Sequence, residues 1–195
     1  MVIEKINNKY KVILGSSSLR RKELLQKMLL KFDIKICNDR EIFPHEINKN
    51  LIPEYLAKQK ANQISLQLKN NFLLITADTI VIQNDDILHK PKNSFEAMMH
   101  LKKISNNTNH VITGVCIKSK EKEITFSCST KVFFSNLEKN EIDMYVNNNN
   151  PYDKSGSYGI QDWIGHIGVK KIHGSYNNVV GLPTHLIYQK LKLFI

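Results

Sequence analysis

Residues 72–82 read Phe-Leu-Leu-Ile-Thr-Ala-Asp-Thr-Ile-Val-Ile, an almost unbroken apolar run with one carboxylate, Asp78, inside it. Such a run fits a strand buried on both faces, in the middle of a sheet with helices on either side. An ionised carboxylate in that setting is costly unless it is paired, hydrogen-bonded or bound to a cation. The same cost makes Asp78 a candidate general base or cation ligand. The structural alternative is an Asx turn where two strands meet.

The segments around this run alternate between the two periodicities. Strands are expected over Tyr10–Gly15, Ile34–Cys37, His110–Lys118 and Glu123–Phe134, the last two joined by the charged turn Ser119–Lys122. Helices are expected over Leu19–Leu30, with Leu25, Met28, Leu29 and Phe32 as its stripe, and over Pro53–Leu68, where Ala57, Ala61, Ile64 and Leu68 share a face. Further helices are expected over Ser94–Ile104, Leu137–Val146 and Pro183–Phe194, with a Gly-rich segment from Tyr152 to Gly181 before the last. This order predicts an α/β or α+β chain built on a mixed sheet. At 195 residues, with no internal repeat and no linker, residues 1–195 are expected to form one domain.

Four places carry candidate chemistry. Ser16-Ser17-Ser18-Leu19-Arg20-Arg21 lies between a strand and a helix, where small hydroxyl residues and a helix N-terminus can cradle a phosphate. Two of the three arginines stand there, although basic residues oppose the helix dipole, in a chain that otherwise uses lysine. An ordinary Ser cap with solvated arginines accounts for that segment equally well. Lys60 falls within the apolar stripe of its helix, either snorkelling to the rim or reaching an anion at the edge of the core. Lys90, before Pro91, lies on a turn after the central strand and says little alone. Glycines cluster in Asp153–Gln161 and Gly174–Pro183, either as surface turns or for close backbone approach to a ligand.

Composition narrows the class. Cys37, Cys116 and Cys128 are odd in number and lack C-x-x-C spacing, which favours reduced thiols in the cytoplasm over a disulfide framework or zinc site. The N-terminal residues lack signal-peptide or transit-peptide character, and no apolar run approaches a membrane span. The net charge of +10 comes from lysines strewn along the chain among 18 acids, with 8% aromatic residues. That pattern argues against nucleic acid as the main partner, since a diffuse basic surface binds polyanions weakly. A P-loop signature and a close histidine pair are both missing from the sequence.

Taken in order, Ile13–Leu25, Leu56–Ala61, Ala77–Thr79, Lys90-Pro91, His110–Val115, Lys154–Gln161 and Gly174–Pro183 resemble the Maf family over almost the whole chain. Three places depart from the family pattern: Leu19 stands for Pro, His89 for Gly, and Ser105-Asn106 for Ser-Gly. The resemblance implies a mixed twisted sheet flanked by helices, two lobes around a cleft, similar to inosine triphosphate pyrophosphatases, and a homodimer in the cytoplasm. It implies hydrolysis of a nucleoside triphosphate between the α and β phosphates with a divalent cation, Mg²⁺ or alternatively Mn²⁺. Arg20, Thr79 and Gln161 match members that prefer dTTP and UTP, including modified uridine triphosphates, in a nucleotide-pool cleaning role linked also to cell-division arrest. The rival readings are the same fold acting on 7-methyl-GTP or ITP, and a non-catalytic nucleotide- or nucleic-acid-binding regulator.

On that resemblance, Asp78 is the expected proton acceptor and a cation ligand, with Glu46 as a second ligand. Ser16, Ser18, Arg21, Lys60 and Lys90 are the expected phosphate-binding groups, and Arg20, Thr79 and Gln161 the base-selecting ones.

Overall fold

A computed structural model describes residues 1–36, 42–69 and 71–195. The strands are β1 (Lys11–Gly15), β2 (Phe32–Ile34), β3 (Phe72–Gln83), β4 (Asp86–Leu88), β5 (Thr108–Lys118), β6 (Glu123–Phe134) and β7 (Val169–His173). They form one sheet in the order β2-β1-β3-β5-β6-β7, with β4 paired to β3 off that path. The sheet is mixed, because β1 runs parallel to β2 and β3, whereas β3–β4 and β6–β7 are antiparallel. The helices are α1 (Val2–Lys9), α2 (Leu19–Lys27), α3 (Ile52–Ser65), α4 (Ser94–Ile104), α5 (Lys139–Asn148), α6 (Trp163–Gly168), α7 (Tyr176–Val180) and α8 (Thr184–Leu191). The expected mixed α/β architecture is what the chain adopts.

The backbone divides into two compact units. One contains Met1–Asp78, Thr113–Cys128 and Gly181–Ile195; the other contains Thr79–Ile112 and Ser129–Val180.

In the first unit, Ile13, Phe72 and Leu74 meet Ala57, Ala61 and Ile64 of α3, together with Cys116. The alternate residues Leu14, Leu73 and Ile75 are also fully buried, which is why β3 reads as a continuous apolar run. The Thr76 hydroxyl donates to the Ala57 carbonyl at 2.6 Å and fixes α3 against β3. Gly114 of β5 runs so close to the start of α3 that a Cβ would lie 2.2 Å from the Glu54 nitrogen and the Pro53 carbonyl carbon. The chain ends meet where the Lys9 ammonium and the Tyr10 hydroxyl both donate to the Phe194 carbonyl. The Cys116 thiol is pushed up to about 12 by burial, which makes it an inert core group. Cys37 lies outside the described residues.

In the second unit, Ala97, Leu101 and Ile104 of α4 pack with Val81, Leu88, Val111, Phe134, Ile142, Tyr145 and Tyr158. Asn84 and Asp85 both take positive φ and join β3 to β4 with Gln83 opposite Asp86, the primed two-residue hairpin turn. Asn106, where the family pattern has Gly, has φ +53, a conformation that Asn tolerates better than most residues. His100 of α4 is buried with Nδ1 2.7 Å from the Ser157 hydroxyl oxygen. Asn178 of α7 donates to the Val111 carbonyl and to the Thr130 hydroxyl, holding that helix to β5 and β6.

Several boundaries differ from the sequence reading. The first expected helix stops at Lys27, and Leu29 beyond it turns left-handed (φ +63); of the expected stripe Leu25 is buried, joined by Leu24, whereas Leu29 is 72% exposed. The second strand lies at Phe32–Ile34, where the sequence reading expects Ile34–Cys37; Lys35 and Ile36 are outside it, and Cys37 lies outside the described residues. The segment read only as Gly-rich contains α6, β7 and α7.

Two measurements test these packings. Gly114→Ala forces a Cβ into backbone that cannot yield and should cost about 3 kcal/mol, a fall of roughly 10 °C in melting temperature. Burial, with Lys103 and His89 adding to it against Glu96, lowers the His100 pKa below 6.5 in the folded state. The unfolded chain therefore binds that proton more readily, so this stability is complete above about 6.5 and is lost as pH falls toward the folded value. Thermal melts between pH 7.5 and 5.5 should show a fall in melting temperature that is shallower in His100→Gln.

Candidate active site

Asp78 sits at the end of the buried half of β3, and its Oδ1 accepts from the Lys60 ammonium at 2.7 Å. Both side chains are mostly buried, Lys60 15% and Asp78 13% exposed. Lys60 lies one turn from Ala57 on α3, and the Thr76–Ala57 bond fixes that turn two residues before Asp78. The apolar stripe thus delivers a lysine to the one carboxylate in the strand, a pairing that offsets the desolvation of both charges.

The Ser16–Arg21 loop folds as the N-terminus of α2. Ser18 is the N-cap, its hydroxyl accepting from the Arg21 backbone N–H at 3.4 Å, while the Ser16 hydroxyl accepts from the Ser18 N–H at 3.2 Å. The Arg21 guanidinium spans three acceptors: the Gly181 carbonyl at 2.9 Å, the Ala77 carbonyl at 2.8 Å and the Ser16 hydroxyl at 3.3 Å. Gly181 has φ +124, a backbone conformation open to glycine and rarely to other residues. Arg21 therefore ties the serine loop to the residue that precedes Asp78, a structural role beside the phosphate contact read from sequence. Arg20 is half-buried, and Leu19 at the first helical position is exposed. Glu46 is exposed in a turn before α3. Among the described residues, no group of three or more His, Cys, Asp and Glu side chains is assembled that could hold a metal ion.

The remaining sequence-predicted residues belong to the second unit. Thr79 is half-buried, and its carbonyl accepts from the Ser155 hydroxyl at 3.1 Å. Lys90 and His89 are exposed after β4. Gly156, with φ +73, packs against Val81, where a Cβ would come within 3.0 Å. The Tyr158 hydroxyl donates to the Asn109 amide oxygen at 2.9 Å, and its ring meets Phe134 edge-on. Gln161 follows on this braced segment, its Nε2 donating to Asp162 at 3.2 Å. The Tyr145 hydroxyl donates to the other Asp162 oxygen at 2.8 Å, and burial and that carboxylate push the phenol pKa up.

Ser155, Asp162, Tyr145 and His100 were not among the residues the sequence singles out. Tyr145 and His100 are hidden inside helical apolar faces, and only the adjacency of Asp162 to Gln161 could have drawn notice.

Known proteins match this chain over most of its length. A family described as Maf-like protein matches residues 11–194. A Porphyromonas gingivalis protein named dTTP/UTP pyrophosphatase is 46% identical over 189 residues, covering 95% of each chain. A Flavobacterium johnsoniae protein of the same name is 42% identical over 195 residues, covering 100% of each. A solved structure, the nucleoside-triphosphatase / dITP/XTP pyrophosphatase of Mycobacterium abscessus, aligns at 11% identity with a TM-score of 0.40, covering 65% of this chain and 75% of that one. By the family match and by relatives above 40% identity along nearly the entire sequence, the chain belongs to the Maf family.

Proposed function

We propose that the protein hydrolyses pyrimidine nucleoside triphosphates, dTTP and UTP foremost, to the monophosphate and pyrophosphate. The names of relatives at 46% and 42% identity support the activity and the substrate class. The observation that carries the chemistry is the Lys60–Asp78 pair at the end of a buried strand, beside a serine-capped helix start.

In this reading Asp78 accepts the proton of the attacking water, and the Lys60 contact orients its carboxylate. Lys60, Arg21 and Lys90 bear on the phosphates, with the Ser16 and Ser18 hydroxyls and the amides at the start of α2, where donors face an anion. Charge grows on the leaving pyrophosphate as the bond breaks, so fixed cations lower the barrier more than they strengthen ground-state binding. Arg20, Thr79 and Gln161 read the base.

Asp78 and Glu46 are the carboxylates that would meet a hard divalent cation, which would keep most of its ligands as water and substrate phosphate, Mg²⁺ first and Mn²⁺ second. When bound, such an ion neutralises triphosphate charge. Residues 1–195 act as one catalytic domain, because each compact unit is made of discontinuous stretches of chain. A cytoplasmic setting belongs to this reading; no helix among the described residues is long and apolar enough to cross a membrane. Nucleotide-pool cleaning as a homodimer completes the reading.

Pyrophosphate release with Mg²⁺ across dTTP, UTP, CTP, ITP and 7-methyl-GTP tests it; preference for dTTP and UTP is expected, and activity confined to a purine would reject the assigned base readers. Asp78→Asn should lower kcat by about 10²–10⁴ with the melting curve still cooperative; near-normal turnover would remove Asp78 from the proton step.

A further inference from the structure

Gln161 and Asp162 fold back over Gly159, where a Cβ would lie 2.6 Å from the Asp162 Oδ2 and 2.7 Å from the Gln161 Nε2. Only glycine allows that approach, and it brings the amide of one residue against the carboxylate of the next. An ionised carboxylate only accepts hydrogen bonds, so it fixes which end of the Gln161 amide faces it: Nε2 donates to Asp162 Oδ1, and Oε1 is turned away. That Oε1 is buried and has no hydrogen-bond partner among the described residues. A buried acceptor without a donor is costly, and an arriving donor would relieve that cost.

Resting on the pyrimidine reading above, we propose that Asp162 is a positioning residue for base selection, holding Gln161 Oε1 as the acceptor for the ring N3–H of uracil or thymine. Cytosine presents a lone pair at N3 and would set acceptor against acceptor. Asp162 is itself held on its far oxygen, Oδ2, by the Tyr145 hydroxyl at 2.8 Å and the Lys154 ammonium at 3.5 Å. Its backbone carbonyl accepts from the Gly165 and His166 amides at the start of α6. Tyr145 and Lys154, which orient the carboxylate, belong to the same unit as Gln161.

Asp162→Asn tests this with little change in shape. Tyr145 and Lys154 donate to the same side, so the new amide oxygen turns toward them and its NH₂ faces Gln161. The Gln161 amide must then reverse and offer Nε2 to the base. Steady-state kinetics with UTP and CTP should show the ratio of their kcat/KM values falling about tenfold or more, since one hydrogen-bond mismatch is removed and another created. Tyr145→Phe keeps the carboxylate and its Lys154 contact, so it should lower the ratio far less than Asp162→Asn, even if it melts earlier. A structural role alone would depress both substrates together in Asp162→Asn and leave the ratio unchanged, which would overturn the proposal. Wild-type protein supplies a test that depends on no variant folding: N3-methyl-UTP, which lacks the donor, should be hydrolysed about 10²-fold less efficiently than UTP, and equal turnover would overturn it. Absence of pyrophosphate release from every pyrimidine triphosphate would overturn the functional reading and this one with it, whereas a wild-type UTP preference with an unchanged ratio in Asp162→Asn sinks the Asp162 role alone.

Discussion

The constraint on which the first unit turns is the desolvation of one carboxylate. Asp78 follows a stretch of strand that is buried on both faces, and a charge there is tolerable only with a partner in place. Lys60 supplies it, and Lys60 can do so only because α3 lies flush on the sheet. Ala57 and Ala61 keep the helix close, the Thr76 hydroxyl pins its carbonyl, and Gly114 lets the start of α3 approach β5 without a side chain between them. The small residues on α3 and the glycine on β5 therefore serve the ion pair as much as the packing. A bulkier face would hold the lysine away and leave the carboxylate uncompensated, which costs more than the pair contributes.

What was legible in the sequence were elements whose periodicity is strong and whose burial is one-sided or complete. The strand around Asp78, the stripe of α3, the limits of α4 and the β5–β6 pair all follow from side-chain spacing, and they emerge with small shifts at the ends. The misses have local causes. α1 was not read because its apolar residues are few and only Ile6 is fully buried. β4 is three residues long and exists because an Asn-Asp pair accepts two left-handed conformations in succession. α6, β7 and α7 sit in a stretch where glycine and asparagine suppress every propensity signal, and they are held by tertiary contacts such as Asn178 to β5 and β6.

Candidate site residues were legible to different depths. Asp78 and Lys60 could be found separately, one as a misplaced charge and the other as a misplaced cation, but their partnership needed the depth of α3 on β3. The base-reading residues came from family resemblance, because a glutamine on a Gly-rich loop carries no physical signature in a bare sequence. Its surroundings do carry one: Gly159 makes room, Asp162 sets the amide, and Tyr145 with Lys154 sets Asp162. A chain of bonds of this kind transmits orientation, because each member has one acceptor or donor arrangement compatible with the next.

The choice of arginine at position 21 follows from similar geometry. Its guanidinium must reach the Ala77 carbonyl, the Gly181 carbonyl and the Ser16 hydroxyl, acceptors that belong to three separate stretches of chain. A planar fork with donors fixed in different directions can serve all three, and a lysine ammonium on a flexible stem would have to choose among them. In a chain with 28 basic residues of which only three are arginine, that requirement explains the exception better than net charge does. It also joins two functions that the sequence leaves separate. The side chain that closes the serine loop grips the peptide immediately before Asp78, so the anion-cradling start of α2 and the carboxylate of β3 are held in one register by a single residue.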